Sequence, residues 1–470
     1  MAGPPRHRRG CRAHRPRLRR DRPARARPGP REPKLSPVEI GVAALLLLLL
    51  AIWAGLHVAT ALLLAGFLGV WAIRGDVEIA TALLARAASD AVSEHLFGVV
   101  PLFVLMGQLV ATAEIGRDCY TAAERLFRRL AGGLGVATVA ANAVFAAVTG
   151  ISIASAAVFT RVAVPEMLTM GYRPAFAVGV VAGSSILGML IPPSLLMIVY
   201  AFLAEQSVRA MFLAGIVPGL LVALVFASGI LAVARFAPGL VYERNGPAPI
   251  PVAGTERSTL VLLAPVLFLV LLVLGGIYGG LFTATEGGAV GATGALLLAL
   301  ARRRLDFVRL RRVLVETGQV TASVLVLIVA ASLYSRMLAL AGLPDLALRW
   351  LGAAGLGAEG FLAAHLLLVL LLGTILDSTS ILLVTVPLAL PIAQALGLDL
   401  VWFGIVTIVA VEIGLLTPPF GLSVYVVTGT LADPRVSLGT TFAGAAPFAL
   451  AMLLVLLLLV AFPGLVLLPL

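Results

Sequence analysis

Residues 188–200 read GMLIPPSLLMIVY, a Pro-Pro pair inside an apolar run long enough to cross a membrane. Two adjacent prolines remove two backbone N–H donors and clash with the preceding turn, so this stretch predicts a broken helix. Residues 414–426, GLLTPPFGLSVYV, repeat the pattern. In lipid each carbonyl freed by such a break needs another partner, so the two breaks indicate a specialised site.

The composition is typical of a polytopic α-helical membrane protein. Of the 470 residues, 60% are hydrophobic and 12% are charged, and apolar segments recur along the whole length. The apolar periodicity is helical or continuous, which disfavours a β-barrel. ATP hydrolysis is not expected, because the chain has no GxxxxGK[ST] loop and its only lysine is Lys34.

The net charge of +11 lies in the first 34 residues, which hold twelve arginines and Lys34 against Asp21 and Glu32. We expect residues 1–35 to form a disordered Arg/Pro-rich tail. The tail either binds anionic lipid or nucleic acid, or is absent from the mature protein because translation starts near Leu35. The remaining residues have no net charge, so nucleic acid is not an expected partner of the membrane core.

The two breaks belong to an internal repeat. An offset of 226 residues aligns 152–196 with 378–422 without a gap, and eleven of the 45 positions are identical. Six of these matches are not common apolar residues: Ser152/Ser378, Pro165/Pro391, Gly171/Gly397, Gly188/Gly414, Pro192/Pro418 and Pro193/Pro419. We therefore predict two membrane repeats, at 36–236 and 259–470, joined by a Pro/Gly-rich linker at 237–258.

Segments 134–164 and 358–392 are too long for one straight span, and each has a polar centre, TGISIAS at 149–155 and LDSTS at 376–380. They predict re-entrant hairpins; the alternative is a kinked span whose serines bond to the preceding turn. Each repeat then has about five crossings, one of them a broken helix, plus one hairpin. Five is odd, so the expected fold is all-α with two repeats of inverted topology, as in secondary transporters.

Arginine placement predicts the orientation. Threading ten crossings puts sixteen arginines on one side, including the cluster at 302–312, and four on the other, at Arg74, Arg86, Arg209 and Arg349. The positive-inside rule makes the arginine-rich side cytoplasmic. Both termini of the core are then expected in the periplasm of a bacterial inner membrane.

The repeats would bring polar side chains and helix breakers to the membrane midplane. In the first half these are Asn142, Thr149, Ser152, Ser155, Ser184, Ser185, Gly188 and Pro192; in the second they are Asp377, Ser378, Thr379, Ser380, Glu412, Gly414, Thr417 and Pro418. Carbonyl and hydroxyl oxygens suit a dehydrated cation such as Na⁺, and half-helix N-termini suit a carboxylate. We expect one Na⁺ site around Ser152/Gly188, another around Ser378/Gly414, and substrate between them.

The acidic residues differ in what they indicate. Asp377 is the strongest single candidate, because an acid within a membrane segment is a functional hypothesis by default. The alternative for Asp377 is a structural hydrogen-bond acceptor at the hairpin tip. Glu412 either belongs to the site or pairs locally, and Glu286, near a membrane boundary, is expected to be structural. We predict no catalytic residue and no cofactor other than the coupling ion.

Four stretches resemble the large membrane subunit of TRAP transporters, the DctM-like permeases. They are GSSILGMLIPPSLLMIVYA (183–201), GGIYGGLFTATEGGAVGA (275–292), GTILDSTSILLVTVPLALPI (373–392) and EIGLLTPPFGLSVYVVTG (412–429). The resemblance implies Na⁺-driven uptake of organic acids by an elevator movement. It also implies two partners, a small four-helix membrane subunit and a periplasmic substrate-binding protein.

Other functions remain as alternatives. A stand-alone Na⁺/carboxylate transporter with inverted repeats would work without a binding protein. An intramembrane enzyme would need a nucleophile and a base, and no histidine is placed to serve the many serines and threonines. A passive channel is disfavoured, because broken helices that face hairpins form sites that can close.

Overall fold

The fold is built from helices over the part of the chain that the structure, a computed structural model, describes: residues 35–93, 98–243 and 258–470. The predicted tail and most of the predicted linker lie outside these residues. The first half comprises α1 (Pro37–Trp53), α2 (Val58–Arg74), α3 (Val77–Ser93), α4 (Val99–Thr112), α5 (Ile115–Phe127), α6 (Gly133–Thr149), α7 (Ser152–Thr169), α8 (Pro174–Ser185), α9 (Leu187–Leu190), α10 (Leu195–Leu203), α11 (Val208–Phe236) and α12 (Pro238–Val241).

The second half begins with α13 (Thr259–Val270), which continues through a π-helical turn (Leu271–Gly275) into α14 (Gly276–Tyr278). The remaining helices are α15 (Ala284–Ala301), α16 (Phe307–Ala341), α17 (Leu343–Ala353), α18 (Ala358–Gly373), α19 (Ser378–Ala395), α20 (Leu400–Gly414), α21 (Leu422–Leu431), α22 (Leu438–Ala461) and α23 (Gly464–Leu467).

Helix starts recur at the offset found in the sequence. The first residues of α2, α7 and α8 are Val58, Ser152 and Pro174, and those of α15, α19 and α20 are Ala284, Ser378 and Leu400, each 226 residues later. Helices α7 and α19 also have the same length, 18 residues. The secondary structure thus repeats with the sequence, whereas the inverted orientation of the two halves stays a prediction.

Membrane spans are assigned by length and apolar composition. Among the described residues six helices qualify, or eight when each of two bent helix pairs is taken as one span. The unbent six are α11, the run α13–α14, α15, α16, α19 and α22, and the bent pairs are α4–α5 and α8–α10. The predicted number of crossings, ten, is therefore not established; several apolar helices, among them α1 and α2, are shorter than the length required of a span.

Both predicted hairpins are helix–turn–helix units. Gly150, with a φ of +65°, ends α6, and the Phe145 and Phe159 rings meet edge to face with centroids 5.6 Å apart. Phe145 belongs to α6 and Phe159 to α7, so their contact shows that α7 runs back along α6. Side chains of α18 and α19 likewise line one apolar cavity of about 600 Å³, from Phe361 near the start of α18 to Ile392 near the end of α19.

The two proline pairs interrupt helices as predicted. The first break separates α9, which ends at Leu190, from α10, which begins at Leu195, and the axis bends there by 42°. The second separates α20, which ends at Gly414, from α21, which begins at Leu422. The peptide bonds Pro192–Pro193 and Pro418–Pro419 are both cis.

One basic segment departs from the prediction. Residues 114–130 and 302–317 are basic and have helical amphipathic spacing, which predicts that both lie along the membrane interface. Helix α5 covers most of the first, but residues 302–306 form a turn, and Asp306 caps the 35-residue helix α16. Helix α16 continues through Gly318 without a break, so the basic segment is the first part of the membrane helix.

Candidate functional site

The two hairpin tips meet at one buried acid. Ser152 and Ser378 are the first residues of α7 and α19, and each donates a hydrogen bond to Glu412 of α20. Ser152 Oγ lies 3.0 Å from Glu412 Oε2, and Ser378 Oγ lies 3.0 Å from Glu412 Oε1. The Glu412 side chain is fully buried. Each carboxylate oxygen thus serves one hairpin, and both hydroxyl oxygens keep lone pairs for another partner.

The first tip is seated in the first break. The Gly150 carbonyl accepts a hydrogen bond from the Leu195 amide at 3.3 Å, across the proline pair. A β-carbon on Gly150 would lie 2.5 Å from the Pro193 carbonyl oxygen, and one on Gly188 would lie 3.0 Å from the Ile151 carbonyl group. Glycine at both positions therefore allows the tip to approach the broken helix closely.

The second tip meets the second break in the same way. The Phe420 amide donates to the Thr374 carbonyl at 3.0 Å. A β-carbon on Gly414 would lie 2.4 Å from the Gly373 Cα atom, so α18 and α20 touch backbone to backbone at their ends. Each half of the chain thus has a tip bonded to its own break, and Glu412 joins the two halves.

Several further polar groups of the first half are buried. Asn142 Nδ2 donates to Ser184 Oγ at 2.7 Å, and the Thr149 and Ser185 hydroxyls donate to carbonyls of their own helices. Asn142 Oδ1 and Ser155 Oγ are buried and have no hydrogen-bond partner among the residues that the structure describes. Unsatisfied buried oxygens are costly, so these two atoms fit the hard-oxygen ligand set expected for a cation.

In the second half, Asp377 caps α19. Its carboxylate accepts hydrogen bonds from the Ser380 amide at 3.2 Å and the Ser380 hydroxyl at 2.5 Å. Asp377 is exposed, whereas Glu412 is fully buried. The structure gives Asp377 the helix-capping role that was the alternative for it, while Glu412 occupies the centre; a part for Asp377 in ion or substrate binding stays a prediction.

The remaining predicted residues of the second half fall into two environments. Thr379 is buried near the tip, and Thr417 donates to the Gly414 carbonyl at 2.8 Å. The second proline pair is exposed, and Pro418 contrasts in this with Pro192, which is buried. The two breaks are therefore alike in backbone arrangement and different in their surroundings.

Two further polar features concern Glu286 and the groups that could hold a metal ion. Thr283 and Glu286 form a capping box at the start of α15, which agrees with the structural role expected for Glu286. Within the described ranges no group of three or more His, Cys, Asp or Glu side chains is arranged to hold a metal ion. A cation at this site would therefore bind mainly to hydroxyl, amide and carbonyl oxygens.

One charged pair was missed by the sequence reasoning. Arg336 of α16 forms an ion pair with Asp90 of α3 at 2.6 Å and lines a polar cavity of about 770 Å³ with Ser332, Ser335 and Gln206. The signal was present, because Arg336 is the only charged residue in the apolar segment 318–341. An arginine in such a segment requires a partner.

The fold and the site define a class of protein. Apolar helices of membrane-spanning length, together with two broken helices beside helical hairpins, are typical of polytopic membrane transporters. A solved structure of the YdaH transporter from Alcanivorax borkumensis is similar, with a TM-score of 0.54 and 16% identity over 78% of this chain and 86% of that chain. At this identity the likeness concerns the fold alone.

The family follows from the sequence comparisons. The chain belongs to the DctM components of tripartite ATP-independent periplasmic transporters, whose family model matches residues 44–465. It is 34% identical to the C4-dicarboxylate TRAP transporter large permease protein DctM of Pseudomonas aeruginosa, over 78% of this chain and 84% of that protein. The chain is therefore a multi-pass membrane transporter and not an enzyme, and the predicted family is confirmed.

Other relatives carry different substrate names. The chain is 31% identical to the sialic acid TRAP transporter large permease protein SiaM of Vibrio cholerae, over 77% of this chain and 83% of that protein. It is 30% identical to the isethionate TRAP transporter permease protein DctMQ of Oleidesulfovibrio alaskensis, over 74% of this chain and 54% of that protein. Substrate therefore varies among proteins of similar distance from this chain.

Proposed function

We propose that this chain is the large permease of a secondary transporter that imports an organic acid together with Na⁺ across the bacterial inner membrane. The observation that carries the proposal is the meeting of both hairpin tips at Glu412, each tip bonded to its own helix break. Such a centre offers hydroxyl and carbonyl oxygens to cations, and the N-terminus of α7, which has no side-chain cap, to an anion.

The substrate class is an organic anion, by preference a carboxylate. The relatives are named for C4-dicarboxylates, sialic acid and isethionate. All three are acids that are ionised near neutral pH, and half-helix N-termini favour such charges. Among the described residues the centre itself adds no arginine or lysine, so helix dipoles and bound cations would offset the substrate charge.

Two Na⁺ sites follow from the repeat. One lies around Ser152 and Gly188, where the buried Asn142 and Ser155 oxygens lack partners, and the other lies around Ser378 and Gly414. We propose that the hairpins and breaks move together as an elevator against a frame of α1–α4 and α16. In support of this division, α16 packs mainly on those helices, whereas α7 packs on α8 and α21, and α18 packs on α20.

Two protein partners complete the proposed transporter: a small four-helix membrane subunit, and a periplasmic substrate-binding protein that delivers the acid. The family description, tripartite and periplasmic, supports this assembly. A stand-alone Na⁺/carboxylate transporter is the competing proposal, and the two differ in whether uptake depends on the binding protein.

Reconstitution tests the proposal directly. The chain and its small subunit are placed in liposomes, and uptake of a radiolabelled acid that binds the cognate binding protein is measured with an inward Na⁺ gradient. We expect uptake with Na⁺ and binding protein together, and at least about tenfold less when choline replaces Na⁺ or when the binding protein is omitted.

Control liposomes distinguish Na⁺ coupling from dependence on the binding protein. Liposomes with the small subunit alone set the background. Uptake that persists in choline contradicts Na⁺ coupling, and uptake that persists without the binding protein favours the stand-alone transporter.

A further inference from the structure

The buried carboxylate breaks the symmetry of the repeat. Ser152 and Ser378 occupy equivalent positions 226 residues apart, and both bond to Glu412. The position equivalent to Glu412 in the first half is Ile186, which is buried and apolar. Two equivalent hydroxyls therefore share a single acid, although the repeat could have supplied one acid for each.

Sharing one carboxylate links the two hydroxyls mechanically. The carboxylate is planar and rigid, and Ser152 and Ser378 use different oxygens of it at the same distance, 3.0 Å. A rotation that follows a shift of one hydroxyl displaces the oxygen that holds the other. Hydrogen bonds between buried groups also polarise one another, so a change at one serine alters the hydrogen bond at the other.

Each serine presents lone pairs away from Glu412, because its proton points at the carboxylate. A cation on one hydroxyl oxygen fixes the direction in which that hydroxyl donates and therefore fixes the rotation of the Glu412 carboxylate. The other carboxylate oxygen is then held where the second hydroxyl donates to it, which leaves the lone pairs of that hydroxyl directed at its own ion. The contacts therefore make binding at one tip dependent on binding at the other.

We propose that Glu412 is a positioning residue that couples the two cation sites at the hairpin tips, so that the sites fill cooperatively. The inference rests on the proposed Na⁺-coupled function. In this arrangement Glu412 acts through Ser152 and Ser378, and half-occupied states are disfavoured.

A double-mutant cycle tests the coupling without changing Glu412. Ser152→Ala, Ser378→Ala and the double variant are purified, and the Na⁺ concentration for half-maximal protection against thermal unfolding is measured, with choline keeping ionic strength constant. Independent sites give a double variant whose fold-change is the product of the single changes. We expect a deviation from that product of at least about threefold, and a Hill coefficient above 1 in the unchanged protein that falls to about 1 in each single variant.

Variants of Glu412 then identify the coupling group. The Glu412→Gln side chain keeps one acceptor and one donor, so it can still bridge the two serines. In this background the serine double variant should still deviate in part from the product of the single fold-changes. Glu412→Ile, which copies the residue at the equivalent position of the first half, removes both acceptors, and the serine effects should then multiply. A purely structural role would lower thermal stability in each variant but leave the Na⁺ effects of the two serines independent.

Matched controls lie on the same helices. Thr160 of α7 and Thr385 of α19 donate to carbonyls of their own helices, at 2.6 Å and 2.8 Å. In the cycle of Thr160→Val and Thr385→Val, the fold-change of the double variant should therefore equal the product of the two single fold-changes. If the unchanged protein does not respond to Na⁺, the proposed ion coupling is wrong and the inference falls with it. If it responds but the two serine effects multiply, only the inference is overturned.

Discussion

At the scale of single residues, the structure places Asp377 and Glu412 in different environments. Asp377 sits at a helix end, where its carboxylate accepts hydrogen bonds from Ser380, and it is exposed. Glu412 is buried and joins residues that are 260 and 34 positions away in the chain. The charge of Asp377 can therefore be removed while its capping geometry is kept.

The substitution Asp377→Asn removes the charge and keeps the helix cap. Asparagine caps helices about as well as aspartate, so we expect the thermal stability of the variant to stay close to that of the unchanged protein. If the charge takes part in binding the ion or the substrate, Na⁺-driven uptake should fall by at least about tenfold. Reconstituted uptake and a thermal unfolding curve on the same preparation measure both quantities.

Asp377→Ala serves as the contrasting variant, because it removes both the cap and the charge and should cost about 1 kcal/mol of stability. Normal uptake by the asparagine variant would leave Asp377 with the capping role alone.

At the scale of elements, the breaks and hairpins could be predicted from the sequence because their causes are local. Proline removes donors wherever it stands, and glycine permits the positive φ of Gly150 that ends α6. The meeting point could not be predicted, since the partners of Glu412 come from two other helices and depend on packing. For the same reason the sequence did not reveal that Arg336 pairs with Asp90.

Gly150→Ala tests the seating of the first tip in the first break. The new β-carbon would lie 2.5 Å from the Pro193 carbonyl oxygen, and the positive φ is unfavourable for alanine. We expect a loss of roughly 1–3 kcal/mol in stability and a larger relative loss of uptake, because the bond from Leu195 to Gly150 must open. Thermal unfolding and reconstituted uptake measure the two effects.

Gly229→Ala in α11 is the matched control, because a β-carbon there meets nothing within 4 Å. It should be neutral or slightly stabilising, since alanine favours a helix more than glycine does. If Gly150→Ala and Gly229→Ala had the same thermal stability and the same uptake, the close approach at Gly150 would be unimportant for both.

At the scale of the whole molecule, several contacts agree with the predicted sidedness. Arg302 pairs with Asp118 at 2.6 Å, and Arg304 pairs with Glu114 at 3.2 Å, so two segments assigned to the arginine-rich side touch each other. On the sparse side, Arg209 donates to the Tyr278 carbonyl at 2.9 Å. Family membership was predictable from four motifs, whereas the direction of the halves in the bilayer depends on a membrane boundary that helix packing alone does not set.

Cysteine labelling tests the orientation. In a background in which Cys11 and Cys119 are replaced by alanine, Glu205→Cys should react with a membrane-impermeant maleimide in intact spheroplasts. Asp306→Cys should react only after the membrane is permeabilised, because residues 302–312 are expected on the cytoplasmic side. The opposite pattern would invert the orientation, and labelling of both from outside would contradict the threading of the spans.

Helix α16 is much longer than the hydrocarbon core of a bilayer is thick. Its 35 uninterrupted residues give a rod of about 52 Å, against about 30 Å of hydrocarbon. Arg309, Arg311 and Arg312 lie near the start of this helix, on the side predicted to be cytoplasmic. Helix α16 packs on α2 and also touches the hairpin helix α19, so in the proposed elevator the distances between α16 and α19 would measure the movement of the hairpin.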